Sequence, residues 1–237
     1  MNTEFDLIVI GAGINGAGIA RDAAMRGLKV LLVDKGDVGG GTSAGSTRLI
    51  HGGLRYLEHF EFGLVRESLR ERETLLRIAP HLVRPLAITI PIYKESRRGW
   101  TTVRAGMIAY ELLAWGKSLP RYRMQPVEET LRKMPGLKAD GLVGSAVYFD
   151  AQVEFAERLV VENVLAAIEH GANVLTHTRV GKLLSEEGRV RGVVLDGDFA
   201  EPALADVVIN AAGPWVDHLI EQKSLGGTES ARLIGGT

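Results

Sequence analysis

The chain alternates between short, continuously apolar runs and longer segments in which apolar residues recur every three or four positions. "DLIVI" (6–10) and "LKVLLVD" (28–34) have the composition of strands buried on both faces. Between them, Ile14 to about Arg26 has a helical period and closes at Gly27, a residue suited to the left-handed position after a helix. The result is a β-α-β unit with an acid, Asp34, at its end. The second half continues the alternation. "VEFAERLVVENVLAAIEHG" predicts an amphipathic helix from about Val153 to His170, stopped by Gly171. "ANVLTHTRV" predicts a strand, and "GKLLSEEGRVRGVVLD" two strands around a turn at Glu187 and Gly188. "ADVVINAAGPWV" predicts a buried strand ending in a small-residue turn at Ala211 to Pro214. Such an ending suits the carboxyl edge of a parallel sheet, where ligands sit. "RESLRERETLLRIAP" predicts an ordinary solvated helix, with a Glu73–Arg77 pair and Pro80 ending it.

The turn between the first strand and helix gives this pattern a chemistry. "GAGINGAG" holds Gly11, Gly13 and Gly16 in the G-x-G-x-x-G spacing. Gly11 would make the tight turn, Gly13 would admit a pyrophosphate, and Gly16 would let helix and strand pack closely. The helix N-terminus supplies free N–H groups and partial positive charge to the phosphates. Asp34 can accept a ribose 2′-hydroxyl and disfavours a 2′-phosphate there. With strand, helix and acid in place, the motif predicts dinucleotide binding, without separating NAD from FAD.

Composition narrows the choice only slightly. The 237 residues carry a formal net charge of −1, so global electrostatics do not argue for nucleic acid. With no cysteine there is no disulfide framework, thiolate metal site or catalytic thiol. No apolar run is long enough to span a bilayer. "MNTEFDLIVIGAG" begins as the first strand of a domain and not as a signal peptide, and a cytoplasmic location is expected. His59, His81, His170, His177 and His218 lack metal-ligand spacing and are expected to be structural or surface groups, so no metal is predicted.

"LIHGGLRYLE" (49–58) stands outside the periodic segments. Paired glycines let a backbone approach something flat or bulky, and a neighbouring arginine and histidine suit an anionic or oxygen-rich ligand. Taken with "DLIVIGAGINGAGIARDAAMRGLKVLLVDKGD", "GGGTSAGSTRLIHGGLRYLEHFEFGLVRESLRERETLLRIAPHL", "DAQVEFAERLVVENVLAAIEHGANVLTHTRV" and "VVINAAGPWV", it resembles the FAD-dependent glycerol-3-phosphate dehydrogenases over almost the whole chain. "STRLIHGGLRYLE" is the most specific part of that likeness.

The resemblance implies an α/β protein with a Rossmann-like FAD-binding domain and an interleaved substrate-binding domain containing a mixed sheet. Its expected limits are 1–85 and 153–214 for the FAD part, 86–152 for the substrate part, and 215–237 for the start of a further substrate-domain segment. It implies that Gly52 and Gly53 let the backbone pass close to the flavin ring and that Arg55 faces a substrate phosphate. His51 and Tyr56 would lie near the reacting carbon or the flavin edge, with His51 the candidate base. Thr42, Ser43 and Ser46 would hold the FAD pyrophosphate and ring, and Gly213 would approach the cofactor. The competing roles are a turn hydrogen bond for His51, an ion pair with Glu58 for Arg55, and core packing for Tyr56. Where many FAD proteins carry glutamate at the end of the second strand, this chain carries Asp34.

The activity implied is oxidation of sn-glycerol 3-phosphate to dihydroxyacetone phosphate by hydride transfer to flavin N5, with electrons passed to quinone. An oxidase using oxygen, or a non-catalytic FAD-binding fragment, are the alternatives. "KESRRGWTTVRAGMIAYELLAWGKSLPRYR" (Lys94 to Arg123) is basic and carries Trp100, Tyr110 and Trp115. Such a helix suits a membrane interface, and the resemblance implies a peripheral protein at the inner face of the cell membrane. The competing reading is a helix packed on the substrate sheet. A homo-oligomer is left open. The final "ARLIGGT" has the pattern of a strand in mid-course, and the resemblance implies further segments beyond it.

Overall fold

The computed structural model describes residues 4–114, 116–196 and 202–221. In chain order the elements are β1 (Glu4–Ile10), α1 (Ile14–Met25), β2 (Val30–Val33), β3 (Leu49–Ile50), a 3-10 turn (Leu54–His59), α2 (Phe62–Ile78), β4 (Val83–Tyr93), α3 (Trp100–Leu113), β5 (Arg123–Gln125), α4 (Val127–Lys133), β6 (Leu142–Val153), α5 (Ala156–Glu169), β7 (Asn173–Leu175), β8 (Val180–Glu186), β9 (Arg189–Leu195), β10 (Pro202–Asn210) and α6 (Val216–Glu221). They form two compact units. Of the described residues, those up to 47 and from 155 onward make the first and those between 48 and 154 the second.

The first unit is built on a six-stranded sheet in the order β7-β2-β1-β10-β9-β8. β7, β2, β1 and β10 run parallel, and β9 and β8 are antiparallel additions. β1 and β2 are buried on both faces, which is why their sequences read as unbroken apolar runs. Leu7, Val9, Val30 and Leu32 pack on one side with α1 and α5; Phe5, Ile8, Ile10, Leu31 and Val33 pack on the other. α1 meets the sheet and α5 through Ala17, Ala20, Ala23 and Ala24, small residues that allow close approach. It ends as its sequence predicts, with Gly27 at φ +84° and the Leu28 N–H bonded to the Ala23 carbonyl.

One predicted strand divides. "ANVLTHTRV" ends as β7 at Leu175, and the chain re-enters the sheet as β8 at the far edge. The turn contains no glycine or proline; His177 takes φ +51°. It is held instead from a distance, by the Thr178 N–H donating to the Asp34 carbonyl at 2.8 Å.

The second unit is a sheet in the order β3-β6-β4, with β5 also on β6. Its described pairs are antiparallel; the mixed pairing belongs to the first unit's sheet. β4 and β6 are paired from Val83–Val153 to Tyr93–Leu142. β4 lies at the edge, where Pro85 and Pro91 are tolerated. The compact units divide the chain at different points from the expected domain limits. Residues 48–85 pack with 86–154, because β3 and β4 both pair with β6 and α2 packs on α3.

Candidate functional site

In the first unit, the glycine turn after β1 opens onto a cleft of about 810 Å³. The three glycines have separate causes. Gly11 takes φ +103°, and a Cβ there would lie 2.5 Å from the Ala211 carbonyl oxygen. A Cβ at Gly16 would lie 1.8 Å from the Gly11 carbonyl oxygen, inside the helix–strand contact. At Gly13 the nearest neighbour of a Cβ would be the Ser43 hydroxyl at 3.4 Å, so this glycine leaves its space to the cleft. Two glycines are required by the protein's own backbone and one faces the ligand space.

Asp34 closes the same turn. Its Oδ2 accepts the Ala12 N–H at 2.6 Å and its Oδ1 the Gly36 N–H at 2.9 Å. Each oxygen keeps a lone pair toward the cleft. Ser43 Oγ accepts the Ile14 N–H at 3.0 Å, covering one of the free donors at the start of α1. Thr42, Ser46 and Gly213, at φ +57°, also line the cleft.

Several lining residues escaped the sequence reading. Trp215 follows the turn after β10, its ring filling the space that Gly41 leaves open and carrying Lys35 Nζ 4.7 Å above its centre. Its position in "NAAGPW", beside a glycine already singled out, was a usable signal. Thr178, Arg179 and Val180 also reach the cleft, and nothing local marks them.

The other five predicted site residues lie in the second unit. Gly52 is buried: a Cβ there would come within 2.6 Å of Leu69 and 2.7 Å of the Tyr110 hydroxyl. Gly53 takes φ +67°, and a Cβ would fall 2.3 Å from the Tyr56 ring. Both glycines are therefore demanded by the unit's own packing before any ligand is considered. His51, Arg55 and Tyr56 are exposed around this turn. His51 Nδ1 accepts the Gly53 N–H at 2.9 Å, so in the neutral ring the proton sits on Nε2. Glu58, the alternative partner for Arg55, is taken by Arg98, whose Nη2 donates to Oε2 at 2.6 Å. That guanidinium holds the Glu58 carboxyl below the usual carboxylate range. Arg55 has no ion-pair partner among the described residues.

Two sequence expectations in this unit need correction. The helix read as ordinary and solvated buries Arg72, which is 1% exposed and pairs with Asp150. Its Glu73 does not pair with Arg77; it accepts the Ser118 N–H at 2.7 Å and stands 3.7 Å from Arg72 Nη2. In the basic stretch, Tyr110 is buried and Trp100 packs against Gly144, so these two aromatics do not offer themselves to a membrane. Trp115 and the final "ARLIGGT" lie outside the described residues, as does the His218 side chain. Ile108 and Leu112, 44% and 64% exposed, share the outer face of α3 with Arg104. Among the described residues no helix is long and apolar enough to cross a membrane.

A parallel sheet with a glycine turn at its carboxyl edge, an acid ending the second strand and an open helix N-terminus defines a dinucleotide-binding protein. The FAD-dependent oxidoreductase (DAO) family matches residues 6–234, and the chain belongs to that family. FAD is its cofactor, and the cleft fits it: the space at Gly13 is open, the Asp34 lone pairs are available, and Trp215 and Lys35 form part of the wall. A glycerol-3-phosphate dehydrogenase of Synechocystis sp. is 50% identical over 246 residues, covering 100% of this chain and 44% of that protein. D-erythritol 1-phosphate dehydrogenase of Brucella abortus is 42% identical over 235 residues, 98% of this chain and 46% of the relative. The crystal structure of the Bacillus halodurans glycerol-3-phosphate dehydrogenase complexed with FAD superposes with a TM-score of 0.72 at 31% identity, over 94% of this chain and 37% of that one. The chain thus spans less than half the length of these relatives.

Proposed function

We propose that the chain forms the FAD-binding part, and part of the substrate site, of a dehydrogenase. It would oxidise sn-glycerol 3-phosphate to dihydroxyacetone phosphate and deliver the electrons to quinone. The observation that carries this reading is the Leu49–His59 segment, where an exposed Arg55, without an ion pair among the described residues, stands on a 3-10 turn beside His51 and with Tyr56. The likeness to the Synechocystis enzyme supports the choice of substrate. FAD, when bound, supplies the hydride acceptor at N5.

Arg55 binds the substrate phosphate through its planar donor fork. Tyr56 lines the space beside the reacting carbon. Gly11, Gly13, Asp34, Thr42, Ser43, Ser46 and Gly213 hold the cofactor, with Gly16 keeping α1 close enough for its N-terminus to take part. Gly52 and Gly53 allow the turn that carries His51 and Arg55 to form. His51 is the candidate to receive the hydroxyl proton. To do so it must release the Gly53 N–H, because Nδ1 is the nitrogen already accepting a bond. Left as it stands, His51 instead donates from Nε2 to the substrate oxygen. His51→Gln separates these roles: its amide reproduces the Nε2 donor, so it outperforms His51→Ala only if His51 donates. The outer face of α3, with Arg104, Ile108 and Leu112, is the part of the Lys94–Arg123 stretch that suits a membrane surface near the quinone pool.

The test is the visible absorption of the purified flavoprotein without oxygen, before and after glycerol 3-phosphate. Bleaching of the flavin band is the expected result. A band that stays would sink the activity and favour a non-catalytic FAD-binding part. Reoxidation by oxygen against a quinone analogue separates oxidase from dehydrogenase. Arg55→Ala raises KM for glycerol 3-phosphate roughly tenfold to a hundredfold, the value of a charged hydrogen bond. A second reading, another polyol phosphate, is favoured by the Brucella abortus relative; D-erythritol phosphate bleaching the flavin faster would select it.

A further inference from the structure

We propose that Arg72, Asp150 and Tyr110 form a buried relay that fixes the Gly52 amide, and with it the His51–Arg55 turn. The three are then positioning residues for the chemistry at that turn. The inference rests on reading the turn as part of the reactive site.

α2, β6 and α3 each contribute one member. Arg72 Nη1 donates to Asp150 Oδ1 at 2.6 Å. Tyr110 Oη lies 2.9 and 3.0 Å from the two Asp150 oxygens. The Gly52 N–H donates to the Tyr110 Oη at 2.9 Å. Exposure is 1% for Arg72, 1% for Asp150 and 2% for Tyr110.

The direction of the relay follows from its protons. Asp150 is paired with a guanidinium that cannot lose its charge in this setting. Tyr110 has a single proton, and beside a carboxylate that proton is donated to Asp150. Burial and the Asp150 charge push the Tyr110 phenol far above its ordinary value, so the proton stays. A lone pair on the oxygen is then left for the Gly52 N–H. The hydroxyl reaches that amide only because residue 52 has no side chain; a Cβ would sit 2.7 Å from the oxygen.

A buried ion pair is a poor means of stabilisation, since well-packed apolar groups of similar volume often serve as well or better. The third member of the relay, Tyr110, packs with Val65, Leu69 and Ala114, so apolar packing was available. Besides a longer bond from Arg72 to the Phe149 carbonyl at 3.4 Å, the backbone group it holds is the Gly52 amide. The next N–H, of Gly53, is held by His51 Nδ1. Two successive amides are thus bound by side chains, one from within the core and one from the candidate catalytic histidine. The peptide planes that aim His51 and Arg55 are set between them.

The test compares the flavin-loaded protein with Tyr110→Phe and with Thr130→Val. Tyr110→Phe keeps the ring against Tyr148 and removes only the oxygen. Thr130→Val removes a different buried hydroxyl of the same unit, one bonded to the Pro126 carbonyl and Ser145. In Tyr110→Phe the Gly52 amide exchanges its hydrogen roughly tenfold faster, and kcat falls while KM rises, together lowering kcat/KM roughly tenfold, as loss of one buried hydrogen bond predicts. Thr130→Val changes neither. Unchanged Gly52 exchange in Tyr110→Phe overturns the relay, as does equal acceleration in Thr130→Val. Faster exchange with unchanged kcat overturns the positioning role. Turnover of glycerol 3-phosphate by the unsubstituted protein is read separately. If it is absent, the proposed activity fails while Gly52 exchange still decides the relay.

Discussion

The glycine turn after β1 and the one at Gly52 and Gly53 are held by different means. In the first unit, Gly11 and Gly16 are fixed by backbone: each would collide with a carbonyl oxygen a few bonds from the cleft. In the second, Gly52 is fixed by side chains, Leu69 and Tyr110, from residues 17 and 58 positions along the chain. Backbone collisions are the same whatever the neighbouring residues are, so the spacing of such glycines is portable and visible as a motif. Side-chain collisions depend on which residues happen to arrive, so that turn has no local signature of its cause.

The comparison can be broken by substitution. The largest effect is expected for Asp150→Ala, which leaves the buried Arg72 charge with only the longer 3.7 Å approach of Glu73. A loss of about 3–5 kcal/mol in urea unfolding is predicted. Replacing both members, Arg72→Met with Asp150→Leu, costs less than removing one; the reverse order would mean that the pair itself stabilises the unit. Gly16→Ala comes next. Its Cβ meets a backbone oxygen that cannot yield, so stability falls by about 3 kcal/mol, the upper part of the range for overpacking. The purified protein should then lack a flavin band.

Gly13→Ala sharpens the contrast. Its Cβ meets only the Ser43 hydroxyl at an ordinary distance, so stability changes by no more than about 1 kcal/mol, the cost of a poorer helix cap. FAD affinity, read by flavin fluorescence titration, nevertheless falls at least as far as in Gly16→Ala. Stability loss in Gly13→Ala matching that of Gly16→Ala would erase the distinction between a glycine kept for the fold and one kept for the ligand.

The smallest effect concerns pH. Burial and the Asp150 charge push the Tyr148 phenol up to about 12 from an ordinary 10.0. A group whose folded value is raised stabilises fully below its unfolded value, and that stability is lost as pH rises through the folded one. The second unit should therefore weaken between about pH 10 and 12, with tyrosinate absorbance following. Tyr148→Phe makes the alkaline limb of the stability curve shallower without removing it, because the Tyr110 phenol is raised by the same carboxylate, and an unchanged limb would remove Tyr148 from the account.

Much of the first unit was legible. β1, α1, β2, the tight turn at Gly11, the close packing at Gly16, the Gly27 stop and the Glu187–Gly188 turn all follow from local pattern. The break between β7 and β8 did not, because both pieces have strand-like sequences and the turn between them contains no punctuating residue. In the second unit the helix containing Arg72 was legible as a helix, but not the direction Arg72 faces. Its neighbours in sequence are charged, and its closest partner, Asp150, lies 78 residues away. Tyr110 was misjudged for the same reason. As one aromatic in a basic stretch it suited a membrane, and in the fold it serves the core.

By itself, the sequence determined the β-α-β unit, the cleft-facing Gly13 and the distinctive turn at Leu49–Glu58, because these depend on residues within a few positions of one another. Tertiary structure alone decided what holds the second turn, which polar groups are buried and that Arg55 is left without an ion pair among the described residues. Those outcomes depend on pairs that chain folding brings together, Arg72 with Asp150, Tyr110 with Gly52 and Arg98 with Glu58. Whether a charge is solvated, paired or left for a ligand is settled by its neighbours in space.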